Sequence, residues 1–220
     1  MPARHAAAEC GLRQLNRDDL NRIAQPLHRV THQRISQSPM ETRGIVVTRD
    51  GNEELLLYIT CQSPHTIGRW LSQALGYPQT AIRVIAKDVG GSFGLKNHPW
   101  MEESAVILAA LLYGRPIKWI EDRYENLISA NQAREQDMTL QIGFDAQGKI
   151  VASHSIYDLN NGAFPQAVDD GMAAQMFLWI AYKVPAYGFL TRAWYSNTVG
   201  LAAYRGPWAM ETLIRETALD

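Results

Sequence analysis

Apolar residues along this chain fall into runs of period two that alternate with stretches of helical period, and the two kinds are separated by turn residues. Ile45 to Thr48 and Leu55 to Thr60 flank Arg49-Asp50-Gly51-Asn52. Asp-Gly between two apolar runs predicts a hairpin. Ile67, Trp70, Leu71, Ala74 and Leu75 repeat at helical spacing up to Gly76 and Pro78, which predicts a helix stopped by a glycine cap. Ile82 to Ala86 reads as a short strand that runs into a glycine-rich loop, Val89-Gly90-Gly91-Ser92-Phe93-Gly94. Pro99 and two acidic residues then open a helix, Met101 to Tyr113, closed at Gly114.

Further along, Ile117 to Ile120 is a strand, Tyr124 to Ser129 a short helix, and Met138 to Phe144 with Lys149 to Tyr157 a hairpin around Asp145-Ala146-Gln147-Gly148. An apolar segment from Met172 to Ala181, a strand from Phe189 to Tyr195 and a helix from Ala209 onward complete the pattern. The expected class is α+β, with mixed sheets and packed helices. Residues 1–26 mix alanine with charged residues and read as a solvated, poorly ordered lead-in; 27–220 read as one domain, cut short at its C-terminal end because no capping signal precedes Asp220.

Composition narrows the function more than the fold. At 220 residues, 46% hydrophobic and 20% charged, the chain has the make-up of a folded protein, and a net charge of -1 supplies no field to attract nucleic acid or an anionic membrane. No apolar run reaches the length of a membrane span and no leader pattern opens the sequence, so a cytoplasmic location is expected. Cys10 and Cys61 share no metal-binding spacing, and the six histidines are scattered, so no protein-held metal is expected.

Three segments could carry chemistry. In the loop Gly90-Gly91-Ser92-Phe93-Gly94-Leu95-Lys96, glycines let backbone N–H groups approach an anionic or flat ligand, although the same residues also suit a plain tight turn. Neither a Walker A loop nor a dinucleotide fingerprint fits its spacing. Tyr204-Arg205-Gly206-Pro207 fixes an arginine on a sharp turn, where it can face an oxyanion or pair with an acid such as Glu211. Gln62, at the end of a strand, offers both a donor and an acceptor, and Ser63 beside it could equally cap the following helix. Asn160-Asn161-Gly162 reads as a turn or bulge, and the tryptophans and methionines of 172–179 as core.

Taken in order, Thr60-Cys61-Gln62, Asp88 to Lys96 and Ala203-Tyr204-Arg205-Gly206 resemble the large-subunit signature of the molybdenum hydroxylases, the xanthine dehydrogenase, aldehyde oxidase and aerobic carbon monoxide dehydrogenase family. The likeness extends through His32-Gln33-Arg34, Pro39-Met40-Glu41, Glu121-Asp122-Arg123 and Asn160-Asn161-Gly162-Ala163, from about residue 30 to the end. It implies the fold of a first molybdopterin-binding domain and hydroxylation of an aldehyde or N-heterocycle with water. The implied cofactor is molybdenum-molybdopterin, in its cytosine dinucleotide form, and electrons would leave through 2Fe-2S clusters and FAD on partner subunits. By the same resemblance Gln62, Gly91, Ser92, Phe93, Gly94 and Arg205 contact the cofactor, and Arg205 also acts catalytically by stabilising charge on the substrate.

Departures limit the substrate. The carbon monoxide oxidisers carry a copper-binding cysteine where this chain has Gly206, and the xanthine dehydrogenases a purine-binding glutamate where it has Asn97. The family's catalytic glutamate belongs to the remaining half of the large subunit and has no counterpart here. Two other readings stay open: a non-catalytic, truncated or split-gene fragment that needs a downstream segment, and a phosphate-binding protein that uses the glycine loop.

Overall fold

The computed structural model describes residues 27–51, 54–165, 169, 171–206 and 209–220. The lead-in expected over 1–26 lies outside them. The described residues divide into two compact units, one drawn from 27–35, 133–201 and 206–220, the other from 36–132 and 202–205.

The first unit is built on a four-stranded sheet of order β1-β6-β7-β8, with β1 at His28–Ile35, β6 at Ala133–Phe144, β7 at Ile150–Asn160 and β8 at Tyr187–Trp194. β6 and β7 form the expected hairpin, and its Asp145 to Gly148 turn closes through the Lys149 carbonyl and a left-handed Gly148. β8 runs parallel to β7, which a tight turn cannot achieve. The connection carries helix α4, Met172–Leu178, and helix α5, Ala209–Leu219, packs beside it. Met138, Leu140, Tyr157, Leu159, Leu178, Met210 and Ile214 form the core. α4 is only half core, because Leu178 is wholly buried whereas Met176 is 71% exposed. The exposed side belongs to an apolar concavity of about 690 Å³ that also includes Trp179, Ile180, Tyr182 and Phe189.

The second unit has a sheet of order β4-β3-β2-β5, with β2 at Gly44–Arg49, β3 at Leu55–Ile59, β4 at Ile82–Ile85 and β5 at Ile117–Ile120. β2 and β3 pair antiparallel around Asp50-Gly51 as the hairpin signal predicts. β4 joins β3 in parallel after helix α1, Pro64–Leu75, which ends on Gly76 in the left-handed conformation. Helix α2, Met101–Tyr113, packs on β2 and β5 and also ends on a left-handed glycine, Gly114. Helix α3, Arg123–Ser129, starts with a reciprocal cap, in which Asp122 accepts from the Glu125 N–H and Glu125 from the Asp122 N–H. Ile45, Val47, Leu55, Leu57, Ile67, Leu71 and Ile107 fill the core.

Under this sheet an arginine is buried. Arg43 is 1% exposed and bonds Glu121 through Nε and Nη2 and Glu102 through Nη1, with Glu103 at 3.5 Å. Burial alone would lower its pKa, and the Glu121 hydrogen bonds with the three carboxylates raise it instead. Among the described residues no helix is long and apolar enough to cross a membrane.

Candidate functional site

The candidate residues 62, 91 to 94 and 205 all belong to the second unit, and hydrogen bonds link Gln62 to Ser92 and Gly94, and Phe93 to Arg205. β3 ends at Ile59, so Gln62 follows directly from the sheet, and its backbone N–H donates to the Lys96 carbonyl at 2.8 Å. Its side-chain oxygen accepts twice, from Ser92 Oγ at 2.7 Å and from the Gly94 N–H at 3.2 Å. Ser92 Oγ in turn accepts from the Lys96 N–H at 3.0 Å.

A backbone N–H can only donate, so the amide group facing Gly94 must be the carbonyl end of Gln62. Ser92 then donates, since Gln62 Oε1 can only accept. The consequence is directional: the Gln62 Nε2 group is left as a donor, and Gln62 itself is exposed. Ser92 is 9% exposed, and its hydroxyl works within the loop.

The loop backbone is coiled the way such a cradle needs. Gly91, Phe93 and Gly94 all have positive φ, 99°, 55° and 103°. At Phe93 this is an uncommon conformation for a residue with a side chain, and its ring stands 39% exposed beside Gly91. The amide N–H groups of Gly91, Ser92 and Phe93 meet no acceptor among the described residues. Successive free N–H groups on a loop of this kind form a concave, electropositive surface for anionic oxygens.

Arg205 joins the same cluster through its backbone, whose N–H donates to the Phe93 carbonyl at 2.9 Å. The contact is tight: a Cβ on Gly94 would lie 2.4 Å from the Ala203 carbonyl oxygen. Gln37 Nε2 bonds that same oxygen at 2.8 Å. Arg205 is exposed. Glu211, the acid considered as its structural partner, is buried in the first unit, and among the described residues neither of its carboxylate oxygens has a hydrogen bond. Burial pushes its pKa up to about 7.

One expectation about the flanking residues changes. Ser63 stands at the start of α1 without the side-chain cap, and its hydroxyl bonds Asn97 Oδ1 at 3.0 Å instead. Cys61 is a buried free thiol whose pKa burial raises, as an incidental core cysteine should behave. The Asn160-Asn161-Gly162 turn proves to be a junction: Arg34 bonds the Asn160 and Val199 carbonyls and Glu135, and Glu135 bonds Asn160 Nδ2. Glu135 reaches both because it and Arg134 adopt positive φ, 63° and 71°. No composition signal marks such a bend in a strand.

Residues missed as participants are Glu41 and Lys96. Glu41 Oε2 accepts from the Gly90 N–H at 2.9 Å and from Lys96 Nζ at 2.8 Å. A glutamate and a lysine 55 positions apart give no local signal of pairing.

Comparison with known proteins identifies the family. Residues 23–220 match the family model described as molybdopterin cofactor-binding domain. The chain is 35% identical over 196 residues to the nicotine 6-hydroxylase large subunit of Paenarthrobacter nicotinovorans, covering 85% of this chain and 24% of that one. Among solved structures, quinoline 2-oxidoreductase from Pseudomonas putida 86 matches with a TM-score of 0.76 at 32% identity, over 87% of this chain and 25% of that one. The Cu,Mo-CO dehydrogenase matches with a TM-score of 0.84 at 28% identity, over 98% and 28%. The chain thus spans about a quarter of the length of the relatives it matches.

Proposed function

Because the chain belongs to the molybdopterin cofactor-binding domain family of the molybdenum hydroxylases, we propose that its glycine loop, Gln62 and Arg205 form one wall of a site that hydroxylates N-heterocycles or aldehydes with oxygen from water. The observation that carries this is a set of donors that no acceptor among the described residues takes up: Gln62 Nε2, left over by the two bonds to its carbonyl end, and the amides of Gly91, Ser92 and Phe93.

That donor set fits the group, since a pterin phosphate and a metal-oxygen unit both present acceptors. Gln62 and the amides of Gly91, Ser92 and Phe93 would hold the cofactor and Phe93 would offer it its ring, while Gly94, whose N–H is taken by Gln62, and the Ser92 hydroxyl keep Gln62 in orientation. The cofactor, in the cytosine dinucleotide form, supplies two-electron redox chemistry at molybdenum. Arg205, always cationic, stabilises negative charge that develops on the substrate. Electrons would pass to 2Fe-2S and FAD centres on partner subunits, and the remaining part of the large subunit would complete the site in the cytoplasm.

N-heterocycles are the favoured half of the substrate class. Two of the similar proteins are named for nicotine and quinoline, both aromatic nitrogen rings. Gly206 has no thiol to bind copper, which argues against carbon monoxide.

Metal and pterin analysis of the full-length protein, followed by turnover of a panel of pyridines, quinolines and aldehydes, tests the proposal. Stoichiometric molybdenum and oxidation of ring substrates are expected. Binding of ATP or inorganic phosphate without molybdenum would instead make the loop a phosphate site. Arg205→Ala should lower kcat by about 10²-fold or more, the scale of losing one charge-stabilising group, with molybdenum content unchanged; unchanged turnover would make the arginine structural.

A further inference from the structure

We propose that Glu41 is a positioning residue for the glycine loop, the last link of a polar chain that runs through the second unit and fixes the donor array; its value to the enzyme rests on the cofactor-binding reading above.

One oxygen, Glu41 Oε2, holds both ends of the loop: the Gly90 N–H at its start and Lys96 Nζ at its finish. A third bond closes the joint, from the Glu41 N–H to the Gly90 carbonyl at 3.1 Å. The approach is close enough that a Cβ on Gly90 would lie 2.7 Å from Glu41 Cβ. The Lys96 side chain is fully buried, and Glu41 is its ion-pair partner. Without that carboxylate the ammonium would be buried and uncompensated, and would pull the end of the loop toward water. Burial works against ionising Glu41, but the Lys96 hydrogen bond, the Gly90 N–H and the Lys96 charge together hold its pKa below the usual carboxylate range.

Glu41 is itself held from behind. Arg123 Nη2 bonds the carbonyls of Pro39 and Met40, the two residues before Glu41. Arg123 Nη1 bonds Asn126 Oδ1, Asn126 Nδ2 bonds Glu121 Oε2, and Glu121 Oε1 bonds Arg43. Arg43, Glu121 and Asn126 are each 1% exposed. Those three are buried polar groups whose satisfaction depends on one another, and the exposed Arg123 ties the Pro39-Met40 backbone to them, so this end of the chain resists small displacements. Its outer end is the loop that sets the direction of Gln62.

The test uses the full-length protein made in cells unable to synthesise molybdopterin, read by amide hydrogen exchange at Gly94, Leu95 and Lys96 and by thermal unfolding. Glu41→Ala should speed exchange at these three amides by about tenfold or more relative to the core of the second unit. It should also lower the melting temperature.

Adding Lys96→Met removes the stranded charge. The double variant should regain the melting temperature while its loop amides still exchange fast, and after cofactor loading it should release molybdopterin faster than wild type. Loop exchange within about twofold of wild type in Glu41→Ala, or recovery of slow exchange in the double variant, would overturn the proposal. A wild-type protein that never takes up molybdopterin would remove the cofactor reading, and the exchange data on cofactor-free protein would still decide whether Glu41 positions the loop.

Discussion

Replacing Gly94 by alanine should separate the glycine loop from the Arg205 turn, and the structure supplies the size of the effect. Gly94 has φ of +103°, a region that costs a residue with a Cβ roughly 1–2 kcal/mol. The new methyl would also lie 2.4 Å from the Ala203 carbonyl oxygen and 2.7 Å from its carbon. Backbone cannot rotate away as a side chain tip can, so one of the two segments must move. Overpacking of this kind adds about 1–3 kcal/mol, for a total of about 2–5 kcal/mol. Gly76→Ala is the matched control: its φ is +68°, and its Cβ would meet nothing within 4 Å. It should cost only the conformational part. Native-state hydrogen exchange reads the difference directly, because the Arg205 N–H is bonded to the Phe93 carbonyl across the contact in question. Exchange at Arg205 should rise about 30-fold or more in Gly94→Ala and stay near wild type in Gly76→Ala, 30-fold being about 2 kcal/mol. Equal behaviour of the two variants would refute the claim that this close approach holds the loop and the turn together.

Two further predictions separate roles that a simple deletion would confuse. Gln62→Glu keeps an acceptor for Ser92 and Gly94 but has no Nε2 donor, so loop exchange in cofactor-free protein should stay slow while molybdenum content falls; normal molybdenum content would remove Gln62 from cofactor binding. Glu211 should make stability pH-dependent. Its folded pKa of about 7 lies above the ordinary 4.5, so the folded state keeps the proton longer, and stability present below about pH 4.5 is lost as pH rises through 7. The gap allows a loss of up to about 3 kcal/mol. Glu103, also raised to about 7 by burial, acts in the same direction, so the quantity to measure is the difference between wild type and Glu211→Gln. The variant should melt at increasingly higher temperature than wild type from pH 5 to 8, and parallel profiles would show that Glu211 does not titrate there.

The sequence was legible where a single segment decides its own structure. Helix α2 begins and ends where Pro99, Glu102, Glu103 and Gly114 place it, and the β2–β3 hairpin follows from Asp50-Gly51. β1 and the first half of β6 were harder to see, because Arg29, Thr31, Arg34, Glu135 and Asp137 make them polar. Their stability comes from partners more than a hundred residues away, such as Arg29 bonding Asp137. The same distinction divides the site. Glycines at 91 and 94 announce themselves because the loop needs backbone that few residues adopt, and Gln62 because a polar side chain at a strand end is conspicuous. Glu41 and Lys96 stand within recognisable motifs, but nothing local marks them as a pair; only the fold reveals that the lysine is fully buried and the carboxylate joins both ends of the loop. Local pattern therefore identifies the groups that could touch a cofactor. What gives those groups a fixed direction is long-range closure: Glu41 on Gly90 and Lys96, Arg123 on Pro39 and Met40, and Arg205 on Phe93. Substitutions that spare every donor yet break one of those closures should be the ones that leave a folded chain with a cofactor it cannot keep.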